Sequence, residues 1–206
     1  MSSRAVPGEP LPSGPVPPRR EPVLAPGALA ALLELAREAV VAAVTGGEPD
    51  AAAVASPDLR VPADAFVTLR RRGELRGCIG TLGAGMPVGR AVVHAARLAA
   101  TEDPRFVQVG PAELAGLDLE VSVLGPPRPL PDPADFVPGI DGIVVEARGR
   151  RALMLPQVAT EMGWGTAEML GSTCEKAGLR PDAWRDPATR LSVFEVVRIE
   201  GSLRRA

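Results

Sequence analysis

Residues 65–80 read AFVTLRRRGELRGCIG, and the order of side chains in this stretch decides the fold class. Phe66, Thr68 and Arg70 alternate with Val67, Leu69 and Arg71, the period of two that marks a strand. Arg72-Gly73 then interrupts the pattern, and Gly73 can take the positive φ of a tight turn. The chain is therefore predicted to reverse there and return as ELRGCIG (74–80), a β-hairpin and so an antiparallel pair.

Downstream, the small-residue loop TLGAG leads to Pro87, which opens a helix running to about Ala100 with Val88, Ala91, Val92, Ala95 and Ala99 on one face. TEDPRF ends it. In LDLEVSVL (117–124), Leu117, Leu119, Val121 and Val123 alternate with Asp118, Glu120 and Ser122, the pattern of a strand buried on one side. The Pro- and Asp-rich stretch from Gly125 to Pro138 reads as a loop too rigid and polar to form an element, and as a candidate seam between subdomains. IVVEA and ALMLP flank Arg148-Gly149-Arg150 and repeat the logic of the first hairpin. Residues 157–177 read as helical, interrupted near Gly163 to Gly165 and stopped by Gly178. LSVFEVVRIE (191–200), apolar on both faces, is predicted to close the chain as one last strand inside the sheet.

Upstream, Leu29, Leu32, Leu33, Ala36, Val40 and Val44 recur at helical spacing between Pro26 and Gly46-Gly47, so Ala28 to Thr45 is a helix. Residues 1–26 carry eight prolines and few large apolar side chains, too little to offset the entropy of ordering, and are expected to be a disordered proline-rich tail. Pro15 and Pro18 have the P-x-x-P spacing of a polyproline II helix. Helices and hairpins alternate without regular strand-helix-strand units, which predicts an α+β fold: a largely antiparallel β-sheet flanked by helices, with a smaller second subdomain, all within one domain over 27–206.

Composition narrows the function classes. A formal charge of −2 and a sequence pI near 5.6 provide no field to gather phosphates, so neither nucleic acid nor an acidic membrane surface is an expected partner. Arg70, Arg71, Arg72 and Arg76 form one basic run with no interleaved aromatics for base stacking. No segment approaches the roughly 18 apolar residues of a membrane helix, and prolines interrupt any secretory core at the N-terminus. Two cysteines without a further framework, Cys78 and Cys174, suit a reducing compartment, and a cytoplasmic location is expected. With a single histidine and no C-x-x-C or H-x-x-x-H spacing, neither a metal site nor a cofactor is expected.

The segment that carries chemistry is Leu75-Arg76-Gly77-Cys78-Ile79-Gly80-Thr81. Strand alternation puts Arg76 and Cys78 on one face, with a guanidinium two residues from a thiol, an arrangement that favours a thiolate. Gly77 and Gly80 leave room for close approach by a ligand or another chain segment. The residues leave two readings open: a reactive Cys78, or a small packed cysteine among glycines that serve a bulge. His94 pairs with Cys78 as nucleophile and base only if its helix crosses this strand. Asp103, Arg105 and Glu102 form a charged cluster after that helix, with Arg105 an anion-binding group, a cap on the C-terminal carbonyls of the helix, or the partner of Asp103. Trp164 and Trp184 read as packing anchors.

LRGCIGT, together with DPRF (103–106), EL (113–114), LEVSVL (119–124), GIDGIVVE (139–146), LPQVATEMGW (155–164), CEKAGL (174–179) and VFE (193–195), resembles the AMMECR domain family in order and spacing, from about residue 28 onward. The resemblance implies a large and a small subdomain with a cleft near RGCIG, and hence a ligand site drawn from Arg76, Gly77, Cys78, Gly80, Thr81, Arg105 and Asp141. It implies an intracellular binding or accessory module for a small ligand or protein partner, of the kind that accompanies a Memo-like protein and a radical SAM enzyme (the AmmeMemoRadiSam set). The alternative is an enzyme using Cys78 as nucleophile or redox thiol. This chain has Asp141 where many members have a histidine, and Val107 and Gln108 where prolines often follow, so a Cys-His proposal loses its imidazole here.

Overall fold

The computed structural model describes residues 24–25, 27–49, 54 and 56–204; the tail expected over 1–26 therefore falls outside the described residues except for Leu24 and Ala25, which pack against the first core. In chain order the elements are α1 (Ala28–Thr45), β1 (Ala65–Arg71), β2 (Glu74–Gly80), α2 (Val88–Thr101), β3 (Leu117–Leu124), β4 (Arg128–Pro129), β5 (Gly142–Ala147), β6 (Arg150–Met154), α3 (Pro156–Met162), α4 (Thr166–Lys176), β7 (Arg190–Phe194) and β8 (Val196–Ser202), joined in places by short 3-10 turns. Every strand pairing is antiparallel and helices flank the sheets, so the fold is α+β. Among the described residues no helix is long and apolar enough to cross a membrane.

Both hairpins form, and each turn has two residues at positive φ: Arg72 at 53° and Gly73 at 82°, then Arg148 at 54° and Gly149 at 71°. Such a pair turns with the twist of the strands it joins. Glycine takes that conformation without steric cost, and each arginine accepts a mild one.

Contacts divide the described chain into two units: one made of the residues before 127 and after 195, the other Pro127–Glu195. The first holds a sheet of order β2-β1-β3-β8. One face of that sheet, with Val67, Leu69, Leu119 and Val121, is buried under α1 and α2. The second unit holds a sheet of order β4-β7-β5-β6, with α4 packed on β5 and β6 over Ile143, Val145, Met169, Leu170 and Val193.

Three expectations change. The closing strand is two strands, because the chain leaves β7 at Phe194, passes Glu195 and starts β8 at Val196 in the other sheet. An all-apolar run serves equally well as two short buried strands, and periodicity does not mark the break. The 125–138 stretch is not wholly loop, since β4 pairs with β7 and residues 133–135 make a 3-10 turn capped by Asp132, whose carboxylate accepts the Ala134 N–H. Finally, β3 is buried on both faces: Glu120 and Ser122 are inside as well as the apolar set. Ser122 Oγ donates to Glu120 Oε1 at 2.9 Å, and burial pushes the Glu120 carboxyl above its usual range.

Glycine is required where α2 meets β2. A Cβ at Gly77 would lie 2.2 Å from the Ala99 carbonyl oxygen, which is backbone of α2 and cannot swing aside. Gly77→Ala should cost about 3 kcal/mol, the upper end of the overpacking range, in denaturant unfolding. Gly116→Ala, whose Cβ meets nothing within 4 Å, should change stability by less than about 0.5 kcal/mol.

Candidate functional site

β2 is an edge strand of the first sheet, so the backbone groups on its outer side need partners from outside the ladder. At Cys78, side chains supply them. Asp103 Oδ2 accepts the Cys78 N–H at 2.8 Å, and Arg105 Nη2 donates to the Cys78 carbonyl at 3.1 Å. Asp103 and Arg105 are themselves joined by two further bonds of 2.9 and 2.7 Å, and Asp103 Oδ1 also accepts the Arg105 N–H. The Asp103 side chain is 2% exposed while that of Arg105 is 53% exposed, so a buried carboxylate holds an accessible guanidinium in place. Glu102, placed in the same charged cluster on sequence grounds, instead faces Arg97 at 3.6 Å.

The thiol projects to the sheet face away from the helices. Thr68 lies directly across β1, and its Oγ1 donates to Cys78 Sγ at 3.3 Å. Cys78 is half-buried, and neither cysteine is in a disulfide. Cys174 is fully buried in the second core, where burial pushes its thiol up.

Arg76 departs from the expected geometry. The pairing of β1 and β2 shifts between Leu69 and Arg70, opposite Gly77 and Leu75, and Arg76 is the residue left over. A bulge re-aims its residue, and the Arg76 guanidinium runs to the following loop: Val107 O at 2.9 Å, Gln108 O at 3.2 Å, and Glu113 at 3.0 Å to each carboxylate oxygen. The cation beside Cys78 is Arg105. The Phe106 ring lies between the two, 6.0 Å from Arg76 and 5.5 Å from Arg105.

The remaining candidates separate. Gly77 admits α2, and Gly80 lies under the Phe66 ring, which a Cβ there would strike at 2.3 Å. Thr81 is buried and closes the end of the hairpin, exchanging backbone and hydroxyl bonds with Ala65. Asp141 belongs to the second unit, where its buried carboxylate accepts the Val137 N–H at 3.0 Å and lies 3.4 Å from Arg128. His94 is exposed on α2, and α2 packs on the face opposite the thiol, so the conditional Cys78–His94 pair does not form. Among the described residues no group of three or more His, Cys, Asp or Glu is placed to hold a metal ion. Sequence reading gave no role to Thr68, and took Glu113 only as part of a motif and not as the partner of Arg76. Strand alternation opposite Cys78 carried a signal for Thr68, but only register reveals the pairing.

Charge explains how firmly the clamp is set. The Arg105 hydrogen bond, with the N–H groups of Cys78 and Arg105, holds the Asp103 carboxyl at about 2 against the opposing effect of burial. Arg76 and the Gly110 N–H hold Glu113 at about 2, and Asp103 in turn raises Arg105. Carboxyls more acidic in the folded than in the unfolded chain stabilise it above their unfolded values and lose that contribution as pH falls toward about 2. For Asp103, after allowing for the solvent around Arg105, the loss should be about 1–2 kcal/mol. Urea unfolding at pH 7, 4 and 2.5 should show it, and Asp103→Asn should be less stable at pH 7 with a flatter decline into acid.

The AMMECR1 family model matches residues 33–199. A protein of Methanothermobacter thermautotrophicus is 48% identical over 156 residues, 68% of this chain and 81% of that one. Protein TK0174 of Thermococcus kodakarensis is 43% identical over 155 residues, 68% of this chain and 76% of its own length. The crystal structure of Uncharacterized Protein PH0010 from Pyrococcus horikoshii superimposes with a TM-score of 0.77 at 38% identity, covering 82% of this chain and 89% of that chain. The family match spans both hairpins and the residues of the Cys78 clamp, and the chain belongs to the AMMECR1 family.

Proposed function

We propose that this protein is a binding or accessory module whose ligand, a small molecule or a segment of a protein partner such as the family's Memo-like protein or radical SAM enzyme, meets it at Cys78 and Arg105 with an anionic group. One observation carries the reading: Arg105 is half-exposed beside a half-buried thiol and is immobilised by a buried carboxylate. With Nε and Nη2 committed to Asp103 and the Cys78 carbonyl, the preorganised guanidinium keeps Nη1 to donate to a carboxylate or phosphate and loses little freedom in doing so. Arg76, Gly77, Gly80 and Thr81 support the site by holding the strand, the loop and the helix in register. Asp141 acts as an internal acceptor in its own unit.

Two alkylating agents of similar size test the reading. Iodoacetate is an anion and iodoacetamide is neutral. With mass-spectrometric readout at Cys78, the folded protein should favour iodoacetate over iodoacetamide about fivefold more than the unfolded chain does, equivalent to about 1 kcal/mol from one partly screened charge. Arg105→Gln should abolish the preference. An unchanged ratio in the folded protein would overturn the proposal.

The second reading, an enzyme using Cys78 as nucleophile or redox thiol, draws on the Thr68 hydroxyl donated to the sulfur and on the nearby Arg105 charge. Both favour negative charge on sulfur. It requires alkylation of Cys78 to stay fast as pH is lowered from about 8 to 6, below the usual thiol range. A rate that falls tenfold per pH unit over that interval removes it.

A further inference from the structure

Trp164 and Trp184, expected only to anchor packing, also wall a groove of about 550 Å³ in the second unit. Both rings are half-buried against the second core, and Trp184 is fixed further by a backbone hydrogen bond to the Cys174 sulfur. The floor is α4, where Ala167, Gly171 and Ser172 are small. A Cβ at Gly171 would stand 3.3 Å from the Pro181 carbonyl oxygen, so glycine lets the 181–185 segment close against the helix.

The charge of the groove is one-sided. Glu168, Glu175 and Asp182 line it against one cation, Arg185. Asp182 lies 3.5 Å from Arg180, whereas Glu168 and Glu175 have no ion-pair partner among the described residues. The two glutamates are seven residues apart on α4, hence on one helix face and about 10 Å apart along the axis. The Trp184 ring already accommodates a guanidinium, that of Arg185 at 4.4 Å from its centroid. Aromatic faces and carboxylates together attract an organic cation.

We infer that this groove is a docking site for an extended segment of a partner protein carrying arginines or lysines three residues apart in polyproline II conformation. Three residues of that helix advance about 9 Å and return to the same face, matching the Glu168–Glu175 spacing, and aromatic-lined grooves suit its preformed backbone. Charge complementarity selects a basic segment over an acidic one. The site lies in the other unit from Cys78 and is independent of the proposed function.

The chain has two tryptophans and no tyrosine, and both tryptophans line the groove, so intrinsic fluorescence reports on this place alone. The probe is acetyl-Pro-Arg-Pro-Pro-Arg-Pro-amide titrated into the full chain, with the same peptide carrying Asp for Arg as control and agmatine as a free guanidinium. A saturable emission change with the Arg peptide and none with the Asp peptide is expected. The exposed pair Glu168→Gln and Glu175→Gln should weaken binding about fivefold, the effect of two surface charge contacts of about 0.5 kcal/mol each, with no change in unfolding midpoint. Arg185→Ala should strengthen it by removing the resident cation. The proposal is overturned by silence toward the Arg peptide, by equal response to the Asp peptide, by insensitivity to the glutamate changes, or by agmatine alone producing the full change at the same concentration.

Discussion

The bond from the Cys78 N–H to the Asp103 carboxylate ties together most of the first unit's working parts. An edge strand presents unpaired donors and acceptors, and here a side-chain pair takes the place of another strand, with Asp103 accepting the N–H and Arg105 donating to the carbonyl of the same residue. Because Asp103 sits just past the end of α2, the bond also fixes where that helix stops relative to the strand it covers. The adjoining loop is drawn to the same edge by Arg76, whose guanidinium holds Val107, Gln108 and Glu113. Remove the carboxylate and Arg105 loses its anchor beside the thiol.

Glycine serves a related purpose in both sheets. Gly80 lies opposite Phe66 across the first hairpin, and Gly142 lies opposite Phe194 between β5 and β7. In each pair the ring covers the glycine, at a distance that a side chain there would forbid. The aromatic supplies burial that the glycine lacks, and the glycine lets the ring lie flat on the sheet. Each unit thus combines a positive-φ Arg-Gly turn with a glycine-aromatic cross-strand pair.

Some local elements were legible in the sequence to the residue, namely α1 and both strands of the first hairpin, and the two helical pieces around Gly163–Gly165 were legible with outer ends one residue off. In each case a strong period ends at glycine or proline, and such signals depend only on neighbours along the chain. Legibility failed at Glu195, because alternation does not record which sheet a strand joins. It failed again at Arg76, because a bulge belongs to the pairing of two strands and not to either one. Glu120 and Ser122 look like solvent-facing positions in a one-sided strand, and they are buried because both faces of β3 are covered.

What the sequence determined by itself was the set of elements, the antiparallel hairpins, the resemblance through LRGCIGT and the place of a cysteine between two glycines on a strand, since all of these rest on local backbone preference and residue spacing. Tertiary structure alone decided which cation stands beside that thiol. Arg76 is two residues away in sequence and is turned aside by the bulge, whereas Arg105 arrives from 27 residues further on, held by a carboxylate that needs the edge of β2 as its partner. It likewise set two distant tryptophans and two glutamates around one groove on α4. Charge and hydrogen-bond complementarity act through space, and only the packed chain specifies those distances.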